Sequence, residues 1–367
     1  MKKNVAVLFG GKSGEHEVSL VSGTTVAEHL HKRTYRVFAL GIRKDGSFAD
    51  PEESRMMLRR DLTDVETVQV VLRSGTKDDL VDLCGRTSDG KEIPFHLFFP
   101  VLHGPYGEDG TIQGLLEMTG RPFVGCGVMG SSVGIDKVIL KQIFTAAEMP
   151  VLPWLSIYRE EWAADAPVWL GRILKEIGFP CFVKPARLGS SVGISRVLHK
   201  ADIENAVVEA LHYDYKIVVE QGIPAREIEC SVMGNHRVDV SLPGEIVPAR
   251  DFYDYTAKYI SNDSNLIVPA ELEDEQVEAI RDMAGRAFLA IGGEGYGRVD
   301  FLMDQRDNKI YVNEINTIPG FTPISMFPKL WTLSGMELPE LLDRLVELAL
   351  ERQAWKSALK TSYGERS

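Results

Sequence analysis

Cysteine is scarce in this chain, and its scarcity argues against a zinc-binding domain or a disulfide-stabilised fold. The 367 residues include four cysteines, Cys84, Cys126, Cys181 and Cys230, which are too widely scattered for the paired spacing of a zinc site. We expect each to be a small buried apolar residue; a nucleophilic Cys126 or Cys181 is the less favoured alternative. Cysteines that need no disulfide framework are typical of a reducing compartment, so the predicted location is cytoplasmic.

Positive charge and long apolar segments are also lacking. The chain has 41 basic and 53 acidic side chains and a net charge of −12, which does not favour nucleic acid or an anionic membrane as a partner. No stretch approaches the length of about eighteen apolar residues that a membrane-spanning helix needs, and the N-terminus lacks the apolar core of a signal peptide. A local basic site for an anionic small molecule is still compatible with this charge. The length is sufficient for two or three domains.

The glycine-rich stretch near the N-terminus lacks the spacing of a nucleotide-binding loop. It follows the apolar run of residues 5–9 and reads "GGKSGEHEVSL". A phosphate-binding loop of the form G-x-x-x-x-G-K-[ST] needs a glycine where Ala6 stands, and the dinucleotide fingerprint G-x-G-x-x-G fails at Ser13. The absence of the dinucleotide fingerprint disfavours a nicotinamide-dependent dehydrogenase, which the N-terminal strand–helix pattern would otherwise suggest. The stretch is interpreted as a glycine turn that places Glu15 and Glu17 near the start of a helix.

The order of strand and helix signals predicts a parallel α/β region followed by two α+β regions. In the first region the predicted elements are strands at 5–9, 36–42 and 96–102 and helices at 18–30 and 132–149; residues 44–92 are polar and unassigned. In the second they are strands at 181–184, 192–197, 217–221 and 228–233 and a helix near 201–211. In the third, from about residue 227, they are helices at 271–291 and 337–352 and strands at 296–303 and 309–315. The polar segment 251–268 is either a functional lid or a disordered insertion.

A second glycine-rich stretch, "CFVKPARLGSSVGISRV" at residues 181–197, is a better candidate for phosphate binding. An apolar strand leads to Lys184, and the loop 189–193 is bounded by two glycines. Glycine lets backbone N–H groups approach anionic oxygens, the serine hydroxyls add donors, and the lysine supplies a point charge. Taken alone, the stretch is equally compatible with a flexible hairpin that exposes a lysine.

A third pattern, "GRVDFLMD…KIYVNEIN", places polar side chains at alternate positions of two predicted strands. Arg298 and Asp300 share one face of the first strand, and Glu314 and Asn316 share one face of the second. Two carboxylates and an amide are oxygen ligands of the kind that Mg²⁺ prefers, and Arg298 is placed to hold a developing oxyanion. The alternative is a structural salt-bridge network around Arg298. Together with the separate glycine-rich loop, the set favours metal–nucleotide chemistry.

Several further motifs accompany these patterns. In order, the chain contains "FGGKSGEHEVSL", "VLHGPYGEDGTIQG", "GIDK", "FVKPARLGSSVGIS", "VVEQGIPAREIE", "DFYDYTAKY", "GRVDF", "NEINTIPGFT" and "SMFPKLW". In this set and order, the chain resembles the D-alanine–D-alanine ligases of the ATP-grasp superfamily over nearly its whole length. The resemblance implies an ATP-grasp fold, in which an N-terminal parallel α/β domain is followed by two α+β domains that clamp ATP. The implied domains are 1–135 for substrate binding and dimerisation, 136–226 with the glycine-rich lid, and 227–367 with the metal site and the loop 251–268.

The resemblance also implies the reaction and its cofactors. Such ligases use the γ-phosphate of ATP to activate the carboxylate of one D-alanine and then join it to a second, giving D-alanyl-D-alanine for peptidoglycan, ADP and phosphate. The expected ligands of ATP are Lys137, Lys184, Ser190, Ser191, Glu220, Gln221, Ile223, Glu227 and Lys258. The expected ligands of two Mg²⁺ ions, or of Mn²⁺ in their place, are Asp300, Glu314 and Asn316. Many relatives have lysine where Gln221 stands, so the resemblance does not imply a side-chain contact with adenine at that position, where backbone hydrogen bonds could serve instead.

The same resemblance implies which residues hold and join the amino acids. The expected substrate ligands are Glu15, His103, Arg298, Gly320, Ser325 and Met326, and the expected catalytic residues are Glu15, Ser190, Arg298, Gly320, Lys258 and Tyr259. Tyr259 is expected to bond Ser190 and so tie the lid to Glu15. A tyrosine there favours the dipeptide over D-alanyl-D-lactate, the product of an alternative ligase of the same fold; a ligase joining other amino acids and a noncatalytic nucleotide-binding regulator are further alternatives. The family suggests a homodimer formed through the N-terminal domain.

Overall fold

The computed structural model describes residues 2–75, 79–247 and 265–360. Within these ranges the strands are β1 (Lys3–Gly10), β2 (Tyr35–Ile42), β3 (Gln69–Ser74), β4 (Val81–Arg86), β5 (Glu92–Pro94), β6 (Leu97–Val101), β7 (Trp154–Tyr158), β8 (Cys181–Pro185), β9 (Ser195–Val197), β10 (Lys216–Gln221), β11 (Ala225–Gly234), β12 (Val238–Val240), β13 (Gly244–Val247), β14 (Asn265–Ile267), β15 (Gly295–Asp304) and β16 (Ile310–Asn316). The helices are α1 (His16–His29), α2 (Pro51–Met57), α3 (Thr111–Met118), α4 (Val128–Ile135), α5 (Lys137–Ala146), α6 (Arg159–Arg172), α7 (Ile203–Tyr213), α8 (Asp274–Ala290), α9 (Met326–Leu333) and α10 (Leu338–Ser357). Lys258 and Tyr259 lie outside the described residues.

The first sheet is parallel, in the order β2–β1–β6, as the alternation of strand and helix signals predicts. Its central strand is apolar along its length because both of its faces are covered. Val5, Val7 and Phe9 pack into a cluster that includes residues of α1 and α10. Ala6 and Leu8 pack into a second cluster on the opposite face. The C-terminal helix thus shares a core with the first strand of the protein.

The unassigned region 44–92 contains regular structure that its polarity conceals. Residues 51–57 form α2, and β3, β4 and β5 form a small antiparallel sheet. Strand β3 is largely exposed, whereas Leu83 on β4 and Ile93 on β5 are buried in the cluster that also contains Ala6 and Leu8. Arg73 on β3 forms ion pairs with Asp82 on β4 and Glu92 on β5. Cross-strand charge pairs of this kind stabilise the exposed part of a sheet.

The single helix predicted for residues 132–149 is wrong: two helices, α4 and α5, meet at Asp136. Asp136 has extended backbone angles, and its carboxylate accepts hydrogen bonds from the N–H groups of Val138 at 3.1 Å and Ile139 at 3.2 Å. It therefore caps the second helix, and it also forms a buried ion pair with Lys216 at 2.5 Å. Apolar periodicity continues through the junction, so the sequence pattern does not reveal the break.

The second sheet is antiparallel, in the order β7–β10–β8–β9, and α7 packs against it. The predicted strand 192–197 is shorter, because only residues 195–197 pair with β8. The preceding loop contains Ser190 and Ser191, both with positive φ, at 55° and 59°. That backbone geometry does not fit a strand. Helix α6, which sequence periodicity does not indicate, buries none of its side chains and contains Pro167.

The third sheet is also antiparallel, in the order β14–β13–β11–β15–β16, with β12 on the side of β11. The elements predicted at 271–291, 296–303, 309–315 and 337–352 are confirmed as α8, β15, β16 and α10, with ends that differ by a few residues. Residues 265–267, at the end of the polar segment 251–268, form β14, and residues 251–264 lie outside the described residues. One parallel sheet and several antiparallel sheets confirm the predicted mixture of α/β and α+β architecture. In the described part of the chain, no helix combines the length and apolar character needed to cross a bilayer.

Replacing Asp136 is expected to destabilise the protein through two separable effects. Asp136→Ala removes the cap of α5 and leaves Lys216 buried without its carboxylate, so we expect a loss of about 3 kcal/mol in the free energy of unfolding. Asp136→Asn keeps a capping oxygen, so its loss should be smaller by about 1 kcal/mol. Urea denaturation of the wild type and both variants measures these differences. Two variants within about 0.5 kcal/mol of the wild type would show that the junction is not held by this residue.

Candidate active site

Two adjoining cavities are lined by residues of, or next to, the first, second and third sheets. The first has a volume of about 360 Å³ and the second about 560 Å³. The residues that line both are Lys137, Leu188, Gly189, Ser190, Glu229 and Glu314. The two cavities therefore adjoin at this shared set of mostly polar residues.

The pairing of β15 with β16 brings together the four polar residues predicted to form a site. Arg298 lies opposite Asn316, and Asp300 lies opposite Glu314. The register shifts directly after Asp300, so a bulge follows the polar positions. Asp300 faces the second cavity, Asn316 and Arg298 face the first, and Glu314 lines both. The predicted grouping of these residues on one face of paired strands is confirmed.

Arg298 is held by two carboxylates. It forms a bidentate pair with Asp300, with both N–O distances at 2.6 Å, and its Nε lies 3.0 Å from Glu229 on the neighbouring strand β11. The salt-bridge network considered as an alternative is thus present, and its members line the cavities at the same time. Sequence reasoning missed Glu229. The signal was its alternation with Glu227 in the stretch "REIEC", which places both carboxylates on one face of β11.

The glycine-rich loop is joined to the N-terminal region and to α5. The ammonium of Lys137 donates to the Leu188 carbonyl at 2.8 Å and lies 3.5 Å from the Glu314 carboxylate. The Ser190 hydroxyl donates to Glu15, and both side chains are buried. Glu15 and Ser190 are 175 positions apart in the chain. The structure therefore brings the predicted N-terminal acid and the predicted phosphate loop to one place.

Glu15, His103 and Glu108 follow the carboxyl ends of two adjacent parallel strands, β1 and β6. The carboxyl ends of parallel strands lie at one edge of a sheet, which is where ligands bind in open α/β folds. All three residues line the first cavity. Sequence reasoning missed Glu108, although it belongs to the quoted stretch "HGPYGEDG".

His103 is neutral and fixed in orientation. Its Nδ1 donates to the Ile318 carbonyl at 2.9 Å, which leaves Nε2 to accept from the Ser22 hydroxyl at 3.1 Å. Burial lowers the pKa of His103 below its ordinary value. The ring therefore orders the segment after β16, because Ser22 also accepts from the N–H of Phe321 at 3.1 Å.

Glu108 accepts hydrogen bonds from the N–H groups of Gly104 at 2.6 Å and Ile318 at 3.3 Å. Its removal from water, reinforced by the nearby charge of Glu15, raises the pKa of Glu108 to about 8. A cation in the first cavity would lower this pKa again by favouring the ionised form. The two acids thus make that part of the cavity receptive to positive charge.

The other wall of the first cavity comes from the segment after β16 and from the start of α9. It contains the predicted residues Gly320, Ser325 and Met326. A Cβ atom on Gly320 would lie 2.7 Å from the Ser325 hydroxyl, so a side chain at this position would displace that hydroxyl. Ser325 in turn accepts from the N–H of Thr322 at 3.0 Å. The backbone of this turn is consequently held close to the space that a ligand would occupy.

The second cavity is lined by the residues predicted to bind nucleotide. Besides the shared set, these are Lys184, Ser191, Glu220, Gln221, Ile223 and Glu227. Glu220 is almost fully buried and accepts hydrogen bonds from both Lys141 and Lys184, the second at 2.7 Å. Burial alone would raise the pKa of Glu220, but the two ammonium groups outweigh it and lower that pKa to about 2. The carboxylate is thus occupied by the lysines, and Lys141 is a further residue that sequence reasoning missed.

Every predicted site residue within the described ranges lines at least one of the two cavities. Lys258 and Tyr259, and with them the expected bond from the lid to Ser190, lie outside those ranges. In the described residues no group of three or more histidine, cysteine, aspartate and glutamate side chains is arranged to hold a metal ion. The predicted metal set of Asp300, Glu314 and Asn316 contains two carboxylates and one amide.

Comparison with known proteins gives a consistent result across the chain. The family model described as D-ala D-ala ligase N-terminus matches residues 4–126, and the one described as D-ala D-ala ligase C-terminus matches residues 143–347. The chain is 46% identical over 352 residues to the D-alanine--D-alanine ligase of Heliobacterium modesticaldum, with 96% of each chain covered. It is 45% identical over 361 residues to that of Caldicellulosiruptor bescii, with 98% of this chain and 99% of the relative covered.

Solved structures agree with these relatives. The D-alanine-D-alanine ligase from Coxiella burnetii superposes with a TM-score of 0.83 at 33% identity, over 97% of this chain and 96% of its own. The VanG D-Ala:D-Ser ligase from Enterococcus faecalis superposes with a TM-score of 0.82 at 31% identity, over 95% of this chain and 100% of its own. These similarities confirm the predicted ATP-grasp fold.

Glu108 is expected to make the protein less stable as the pH rises between about 5 and about 8. In the unfolded chain this carboxyl ionises near 4.5, whereas in the folded protein it keeps its proton up to a pKa of about 8. Its contribution to stability is complete at low pH and is lost across that window, by roughly 1 kcal/mol per pH unit. Glu108→Gln keeps an acceptor oxygen but does not titrate. Urea denaturation at about pH 6 and about pH 8 should therefore show a smaller fall in the free energy of unfolding for the variant than for the wild type. Equal falls would contradict the raised pKa of Glu108.

Proposed function

The chain belongs to the D-alanine–D-alanine ligase family, and we propose that it joins two D-alanine molecules in an ATP-dependent, ADP-forming reaction through an acyl phosphate. The observation that carries this proposal is the pair of adjoining cavities that share Lys137, Ser190 and Glu314. One cavity provides space for a nucleotide and the other for small amino acids. The shared residues lie where a phosphoryl group would pass between them.

The nucleotide is assigned to the second cavity. Lys137 and Lys184 supply positive charge for the phosphates, and the hydroxyls and N–H groups of Ser190 and Ser191 supply donors. The segment 220–223 is assigned to the adenine edge and Glu227 to the ribose. Support for this placement comes from the lining of the cavity, which includes all of these residues.

The amino acids are assigned to the first cavity. Glu15 is the proposed partner of the first substrate's ammonium, and His103 orders the wall around that position. Arg298 and the N–H of Gly320 are the proposed oxyanion donors, because a fixed cation and a close backbone N–H stabilise charge that develops on the acyl oxygen. Ser325 and Met326 complete the proposed wall for the second substrate.

The bond changes follow from this arrangement. A carboxylate oxygen of the first substrate attacks the γ-phosphorus, the bond to the β–γ bridging oxygen breaks, and ADP departs. The amine nitrogen of the second substrate then attacks the acyl carbon through a tetrahedral intermediate. Loss of phosphate and of an amine proton completes the C–N bond. Water must be kept out, because an acyl phosphate hydrolyses readily.

The donor set fits Mg²⁺, or Mn²⁺ in its place. Asp300, Glu314 and Asn316 present oxygen atoms from opposite positions of paired strands toward the cavities, and hard oxygen ligands suit these ions. Arg298 and Lys137 already balance the two carboxylates, so Asp300 has to exchange part of its contact with Arg298 for the metal. Two bound ions would offset negative charge on the phosphates during transfer.

We further propose a homodimer formed through residues 1–135 and a cytoplasmic location. The homodimer rests on the family resemblance, and so does the proposed division of the chain into units 1–135, 136–226 and 227–367. The cytoplasmic location is supported by the four cysteines, all of which are buried and free of disulfide bonds. The alternative of depsipeptide formation or of other amino acids is not favoured, since the curated relatives at high coverage are named D-alanine–D-alanine ligases.

The proposed reaction predicts D-alanine-dependent release of phosphate from ATP in the presence of Mg²⁺. Phosphate release should be measured over a panel of D- and L-amino acids and D-lactate, with product identified by mass spectrometry. D-alanine should give equal amounts of phosphate, ADP and D-alanyl-D-alanine, and L-alanine should give none. A preference for D-lactate as second substrate near neutral pH would overturn the dipeptide assignment. ATP binding without any amino-acid-dependent turnover would indicate a regulator instead.

Glu314→Gln is expected to lower kcat by at least about a hundredfold, because it removes a metal-binding carboxylate while keeping the size of the side chain. Glu278→Gln is a matched control, since Glu278 is exposed and its ion pair within the described residues is with Arg281 on its own helix. Phosphate release as a function of Mg²⁺ concentration measures both, and circular dichroism checks folding. Turnover near that of the wild type would remove Glu314 from the metal site.

A further inference from the structure

We infer that Lys141 is a positioning residue for the nucleotide: it neutralises Glu220 so that Lys184 is free to turn toward the phosphates. This inference rests on the proposed function, because it concerns how the second cavity receives ATP. Lys141 does not line either cavity, whereas Glu220 and Lys184 both line the second. It would therefore act through its neighbours and not by contact with the ligand.

The geometry is that of one carboxylate shared by two ammonium groups. Lys141 contacts Oε1 of Glu220, and Lys184 contacts Oε2 at 2.7 Å. The side chains of Lys141 and Glu220 are each 2% exposed, whereas that of Lys184 is 13% exposed. Lys184 is thus the member of the triad that reaches the cavity, and Lys141 is the member enclosed by protein.

The formal charges explain why a third member is useful. Two ammonium groups and one carboxylate leave one positive charge at the wall of the cavity. When Lys184 turns toward a phosphate, Glu220 keeps Lys141 as its counter-ion, so no buried charge is left unpaired. Without Lys141, the same movement would abandon a buried carboxylate, which is strongly unfavourable. Lys184 would then stay bound to Glu220, and these two residues together would carry no net charge.

Helix α5 places this lysine with respect to the rest of the site. Lys137 and Lys141 are four positions apart, so they lie on the same face of the helix, one turn from each other. Lys137 reaches the glycine-rich loop and Glu314, and Lys141 reaches Glu220 on β10. Helix α5, which begins at the Asp136 cap, thus presents Lys137 to the cavities and Lys141 to the buried carboxylate of Glu220.

The experiment compares four forms of the full chain: wild type, Lys141→Met, Glu220→Gln and the double variant. Methionine keeps the length of the side chain without its charge. Lys141→Met should raise the KM for ATP at least about tenfold, and kcat at saturating ATP should change by less than about threefold. The KM for D-alanine should stay unchanged. The double variant restores one net positive charge to this group, now carried by Lys184 alone, so its KM for ATP should be at least about threefold lower than that of Lys141→Met.

Lys32→Met is the matched control for loss of a lysine. Lys32 is a partly buried lysine just beyond the far end of α1 from Glu15, and its ammonium lies 3.9 Å from Asp64. The Lys32→Met variant should have the same kinetic constants as the wild type. Thermal denaturation of every variant establishes that the folded protein is being compared.

Two results would overturn the inference. One is an unchanged KM for ATP in Lys141→Met; the other is a raised KM that the added Glu220→Gln does not repair, which would indicate a structural role for Lys141. Binding of ADP, measured by calorimetry without D-alanine, gives the same comparison independently of turnover. If no form turns over D-alanine but ADP binding follows the predicted pattern, the proposed function fails while the role of Lys141 stands.

Discussion

A carboxylate that is buried away from water needs a cation beside it. In this protein, the packing of the sheets and of α5 depends on ion pairs that meet this requirement. Asp136 at the start of α5 pairs with Lys216 on β10, and Glu314 on β16 faces Lys137 on α5. Arg298 joins β15 to Glu229 on β11. Each pair connects elements that are distant in sequence or in different sheets. Two of these pairs, Glu314–Lys137 and Arg298–Glu229, also line the cavities, so they place charge in the space between the sheets.

This arrangement explains how one set of residues serves both stability and chemistry. Arg298 forms ion pairs with Asp300 and Glu229, so neither carboxylate is buried without a counter-ion. The same three groups face the cavities, where an anionic phosphate or a metal ion offers them new partners. Exchange of one charged partner for another costs less than creating a bare charge. A site built from ion pairs can thus receive highly charged ligands without losing the fold.

The first sheet contributes in a different way, through topology. Parallel strands end at a common edge, so residues that follow β1 and β6 are brought together although about ninety positions separate Glu15 from His103 and Glu108. Ser190 approaches the same edge from the second sheet and bonds Glu15. The cavity is closed on its other side by the turn at Gly320, where a side chain would collide with the Ser325 hydroxyl. The substrate-sized cavity is thus formed by three parts of the chain that are far apart in the sequence.

The sequence by itself determined the local features. Apolar runs revealed the parallel strands, and alternation revealed that Arg298, Asp300, Glu314 and Asn316 share a face, because side-chain direction in a strand follows from position alone. Only the tertiary structure decided the rest. The break at Asp136, the acids at Glu108 and Glu229, and the role of Lys141 each depend on a partner from a distant part of the chain. Sequence periodicity predicts the direction of a side chain relative to its own helix or strand. The partner of a buried charge lies on another element, and it is determined only by how the sheets pack.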